Sequence, residues 1–140
     1  MLNHMVNSLR VDRTLAAPPE RIWRALTDPA ELAAWFWPAR LDPKVDADAR
    51  PGGSYRIASA AGDGMAVGGS YVHVEPFHRL VFTWRWDGED DETLVTIELS
   101  AVEGGTALVL THERFPDQST RDNHRTGWED CLARLPAHLS

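Results

Sequence analysis

Residues 80–86 read Leu-Val-Phe-Thr-Trp-Arg-Trp, so one side of a two-residue period carries Leu80, Phe82, Trp84 and Trp86. That period belongs to a strand with one face against a core. Three large rings in succession need a deep apolar partner, because each can hide ~150–250 Å². The far end of the chain offers one. Across residues 117–139, Trp128, Cys131, Leu132 and Leu135 recur at steps of three and four, and His124 sits one turn before Trp128 on the same side. The spacing predicts a terminal helix of roughly 30 Å, which Pro136 should kink or end.

Between these two segments the periodicity stays close to two. Residues 8–17 alternate, and Pro18 and Pro19 stop them and open a helix that groups Ile22, Ala25 and Leu26. Asp28 then suits an N-cap, Pro29 a first helical position, and Glu31 the closing member of a capping box. Pro38 ends this second helix. Strands are expected over 41–48, 54–59, 65–76, 80–86, 93–102 and 106–115, with a bulge or sharp bend at Gly68–Gly69. A strand, two short helices, a meander of strands and a long last helix make an α+β domain. A curved antiparallel sheet of six to seven strands, folded round the last helix, would bury that helix's stripe. Residues 1–7 are read as a flexible start and 8–140 as one domain.

The net charge of −7 gives no sign of a nucleic-acid or anionic-membrane surface, and the 13 arginines against Lys44 alone read as composition rather than a binding surface. Gly-Glu-Asp-Asp-Glu at 88–92 reads as a solvated hairpin turn. No apolar run approaches the ~20 residues of a membrane span, and no secretory h-region opens the chain. With Cys131 the single cysteine, the expected location is the cytoplasm.

Four blocks in order carry a family resemblance: 17–38 (APPERIWRALTDPAELAAWFWP), 68–86 (GGSYVHVEPFHRLVFTWRW), 104–115 (GGTALVLTHERF) and 123–135 (NHRTGWEDCLARL), the last with its Gly127–Trp128 pair. Over nearly the whole chain this is similar to stand-alone domains of the heat-shock-chaperone ATPase activator type, within the START and birch-pollen-allergen superfamily. The resemblance implies a helix-grip fold with a hydrophobic cavity between sheet and terminal helix. It also implies that Phe82, Trp84 and Trp86 face inward and that Trp35, Phe36 and Trp37 sit near the cavity mouth. Consecutive residues cannot share a helical face, so at least one of those three should be partly exposed, as a pocket cap or a homodimer contact.

Two readings of the interior stand side by side: rings that fill it, or rings that wall a pocket. The pocket candidates are Trp35, Trp37, Phe82, Trp84, Trp86, Trp128 and Cys131, with Tyr71, His112 and His124 as sparse polar points. The partner expected is a hydrophobic or aromatic small molecule, without cofactor, metal, nucleic acid or membrane insertion. No metal-ligand spacing, nucleophile elbow or phosphate loop occurs. Catalysis would have to use His112 with His124, in the manner of a cyclase or hydrolase; a satisfied core histidine is the commoner fate of such residues. An interaction or co-chaperone-like module with a filled core is the remaining alternative. The chain has no room for the full activator's additional N-terminal domain, so chaperone regulation is not expected.

Overall fold

Proline and aspartate punctuate the first third of the chain. The computed structural model describes residues 7–140; the first six, most of the segment expected to be flexible, lie outside the described residues. Strand β1 (Leu9–Leu15) buries Leu9, Val11 and Leu15 on one face. Helix α1 (Pro19–Thr27) begins where Pro19 needs no hydrogen bond for its missing N–H, and the Pro18 carbonyl accepts from Ile22. Asp28 then caps α2 (Pro29–Trp35), its side chain accepting from the Ala30 and Glu31 amides. The capping box is only half made. Glu31 does not turn back to Asp28 but takes Arg21, Arg24 and His138 at 2.7, 2.7 and 2.8 Å. Three charge-assisted bonds outbid one neutral amide, and they tie α1 and α2 to the end of the chain.

The Trp35-Phe36-Trp37 run corrects the expectation of an exposed ring: all three are buried, at 2%, 6% and 7% exposure. The reason is geometric. Helix α2 ends at Trp35, and the chain leaves through Pro38 into a short 3₁₀ turn (Ala39–Leu41). The three rings therefore do not share one helical surface. A homodimer contact on an exposed Trp37 loses its premise.

Six further strands follow: β2 (Pro43–Ala47), β3 (Ser54–Ser59), β4 (Ala66–Glu75), β5 (Arg79–Trp86), β6 (Thr93–Val102) and β7 (Gly105–Glu113). They form one antiparallel seven-stranded sheet in the order β1-β7-β6-β5-β4-β3-β2, with β1 and β2 at its edges. Helix α3 (Gln118–Leu139) crosses it, burying Trp128, Cys131, Leu132 and Leu135, and runs on through Pro136. The architecture is the helix-grip α+β fold. No described helix is long and apolar enough to cross a membrane.

Two local departures from regularity shape the interior. The register of β4 on β5 shifts between Tyr71 and His73, leaving Val72 as the extra, exposed residue. The bulge therefore sits past Gly68–Gly69. Gly69 answers a different demand: a Cβ there would lie 2.1 Å from the Thr83 carbonyl oxygen, so only glycine lets β4 approach β5 so closely. At the end of β7, Arg114 takes a left-handed φ of 74°. That turn breaks the alternation and lets Phe115 join His112 inside, with ring centroids 4.3 Å apart.

Candidate functional site

The inward face of β5 meets two different environments. Toward its start, Phe82 packs edge-on to Tyr55 and Tyr71, with Leu26 and Leu32 of the short helices closing over them. Only about 30 Å³ of space remains there. Toward its end, Trp84 and Trp86 help wall a cavity of about 510 Å³. The opposite wall is one stripe of α3: His124, Trp128 and Cys131, flanked by Asn123, Gly127, Asp130 and Arg134. The remaining sides come from Phe36–Leu41 after α2 and from Asp63 and Met65 between β3 and β4.

Aromatic contacts fix these walls. Trp37 stacks parallel to Trp86, 6.0 Å between centroids at 7°. Trp84 meets Trp128 at 5.1 Å and Trp86 edge-on at 5.6 Å. Phe36 bridges to Trp84 and Trp128. Arg134 secures the exit of α2: its Nε and Nη2 donate to the Trp35 and Phe36 carbonyls at 3.0 and 2.7 Å. A cation at a helix C-terminus suits both the orphan carbonyls and the dipole.

The two histidines lie 5.3 Å apart, centroid to centroid, and the protein uses all four of their ring nitrogens. Nδ1 of His112 accepts from Trp128 Nε1 at 2.9 Å, and its Nε2 lies 2.6 Å from Thr93 Oγ1. The Thr93 hydroxyl donates onward to the Trp84 carbonyl at 3.0 Å. The chain of donors is self-consistent only if neutral His112 carries its proton on Nε2. Burial, with a smaller contribution from His124, pushes the His112 pKa down to about 2. His124 accepts from Trp86 Nε1 at 2.9 Å and donates from Nδ1 to the Thr120 carbonyl at 2.8 Å. Cys131 is buried, and burial pushes its thiol well above the ordinary range, so it is an inert wall group rather than a thiolate.

Of the residues singled out from the sequence, Trp37, Trp84, Trp86, His124, Trp128 and Cys131 line the large cavity. Tyr71 and Phe82 line the small void, with Trp84 shared between the two. Trp35 borders neither; its indole donates to the Ala25 carbonyl at 2.9 Å. His112 lies behind Trp84 and Trp128 in the sheet layer. Asn123, Gly127, Asp130 and Arg134 join the wall although none is a pocket candidate from the sequence; their steps of four, three and four mark a second stripe beside Trp128. Among the described residues no cluster of histidine, cysteine and carboxylates could hold a metal ion.

The family described as Activator of Hsp90 ATPase homolog 1-like protein matches residues 16–140. The chain belongs to this family. Among solved structures it is similar to protein CV1439 from Chromobacterium violaceum, 37% identical over 95% of this chain and 96% of that one, with a TM-score of 0.86. A Rhodobacter sphaeroides protein is 32% identical over 96% and 92% of the two chains, TM-score 0.84. DynU16, from the dynemicin biosynthetic locus, is 30% identical with a TM-score of 0.81; the match covers 95% of this chain and 47% of that one. Comparison with curated proteins gives no match.

Proposed function

We propose that this domain binds a hydrophobic, ring-containing small molecule between the end of β5 and α3, and holds it without chemistry of its own. The observation that carries the reading is the cavity of about 510 Å³ walled by Phe36, Trp37, Trp84, Trp86 and Trp128. That volume falls in the range of sites that enclose drug-sized ligands, ~300–1,000 Å³. Close-packed interiors leave few voids larger than a water, so a space of this size argues against a module with a filled core. A catalytic His112–His124 pair finds no support in the geometry. All four nitrogens already serve tryptophan, threonine and backbone partners, and a histidine that stays neutral in the native state cannot trade protons near neutral pH. Family membership does not decide the matter, because one fold hosts many functions; the similarity to a protein from a biosynthetic locus fits a small-molecule ligand.

Native mass spectrometry of the purified protein, followed by organic extraction, tests the reading. The expected result is a stoichiometric adduct that is lost in Trp128→Ala while circular dichroism keeps the wild-type fold. Absence of any adduct, together with unquenched tryptophan fluorescence across a panel of lipophilic probes, would overturn it.

A further inference from the structure

Among the tryptophans at or behind the cavity wall, the protein answers the N–H groups of three. Trp35 donates to the Ala25 carbonyl, Trp86 to His124 and Trp128 to His112. Trp84, 5% exposed, has no partner for Nε1. A buried donor left unpaired is rare in native structures and calls for an explanation.

The surroundings exclude a partner supplied by the protein. Trp84 touches the rings of Phe36, Trp86, Trp128, His112 and His124. Every nitrogen of the two histidines is engaged, and the Thr93 hydroxyl already serves His112 and the Trp84 carbonyl. Trp84 also borders open space twice: it lines both the 510 Å³ cavity and the 30 Å³ void. Its Nε1 lies among these rings without exposed surface, so an occupant of the larger space meets it only as the indole turns its N–H edge toward the cavity.

On the reading that the cavity takes a small molecule, we propose that Trp84 is its specificity-determining donor, and that the ligand is a planar ring compound bearing a carbonyl-type or phenolic oxygen at its buried end. A pure hydrocarbon would leave the N–H unanswered. A fatty acyl chain carries its oxygens at one end only and brings methylenes to Trp84. An oxygenated ring system matches both the aromatic walls and this buried donor.

The test uses protein labelled with ¹⁵N-tryptophan and two probes of the same three-ring outline, flavone and the hydrocarbon 2-phenylnaphthalene. Trp84→Phe keeps an aromatic ring and assigns the Trp84 indole resonance by its disappearance. Flavone should move that resonance downfield and bind the wild type about tenfold tighter than 2-phenylnaphthalene. In Trp84→Phe the preference should vanish, because flavone loses the hydrogen bond as well as the contact area of the larger ring, whereas the hydrocarbon loses the contact area alone. Flavone bound with the Trp84 resonance unmoved, or a preference retained in Trp84→Phe, would overturn the proposal while leaving the pocket intact. Failure of both probes to bind the wild type would overturn the small-molecule reading itself, and the role of Trp84 with it.

Discussion

The two halves of the β5 inner face are built from the same kind of residue and end in opposite states. Leu80 and Phe82 meet leucines of α1 and α2 and the rings of Tyr55 and Tyr71, and almost nothing is left empty. Trp84 and Trp86 meet His124 and Trp128 of α3, which Asn123, Gly127 and Asp130 flank, and a cavity remains. Ring size on a strand therefore does not separate core from pocket. The opposite wall does: aliphatic side chains wedge the first half shut, while beside the rings of α3 a glycine and short polar groups leave space unfilled. The polar content differs likewise. The closed half carries the Tyr55 hydroxyl on the Thr83 carbonyl, whereas the open half carries a relay of histidines and indoles.

The strongest way to break this comparison is to truncate one ring on each side. Phe82→Ala should cost about 3–5 kcal/mol in chemical denaturation, because its neighbours cannot follow into the space. Trp37→Ala should cost clearly less despite the larger ring, since one side of that indole already faces empty volume. Equal losses would mean that the cavity wall is packed as rigidly as the core. Lipophilic probes should distinguish the two in the other direction, losing affinity for Trp37→Ala and keeping it for refolded Phe82→Ala.

How much of this was legible beforehand follows the same divide. The alternation along β5 and the stripe on α3 placed Phe82, Trp84, Trp86, Trp128 and Cys131 inside, because burial imposes period on sequence. The Asp28 cap was visible for a similarly local reason. Left unread were contacts set by distant elements: Glu31 abandoning its box for His138, Phe115 turned inward by a left-handed Arg114, and the three rings of 35–37 buried by the chain's exit through Pro38. Whether a ring faces void or leucine is likewise a property of the partner element, which pattern along a single segment does not encode.

A second difference between the halves is titratable. The open half rests on neutral His112, whose pKa drops from 6.5 to about 2 on folding. The unfolded chain thus binds a proton that the folded protein refuses. Stability from this group is complete above pH ~6.5 and falls by up to about 1.4 kcal/mol per pH unit below it. Glu31 acts in a lower window. Burial opposes its ionisation, but hydrogen bonds from His138, Arg21 and Arg24 win and hold the carboxyl below its ordinary 4.5. Its contribution is whole above pH ~4.5 and is lost as pH falls through the lower, folded-state value. Urea midpoints measured from pH 7 downward should therefore decline from about 6.5, before any carboxylate matters, and His112→Asn should flatten that early slope at the expense of overall stability. A profile flat between pH 6.5 and 5 would show that His112 charges without resistance, and that the open half is wetter than its hydrogen bonds imply.

The smallest effect is the most discriminating. Gly127 sits in the middle of α3, where glycine costs about 0.5–1 kcal/mol relative to alanine. A Cβ built there meets nothing within 4 Å, so no clash with the protein demands the glycine. Gly127→Ala should raise stability by about that amount in thermal or urea melts. Its methyl would stand on the cavity wall, so the same change should weaken a bound ring compound several-fold. Stabilisation without loss of binding would mean that the wall tolerates filling at this point and that the ligand lies deeper, against Trp84. No stabilisation at all would mean that the helix backbone near Trp128 is constrained by something other than glycine's freedom, and the contrast between a closed and an open half would then have to be drawn at the indoles rather than at the helix.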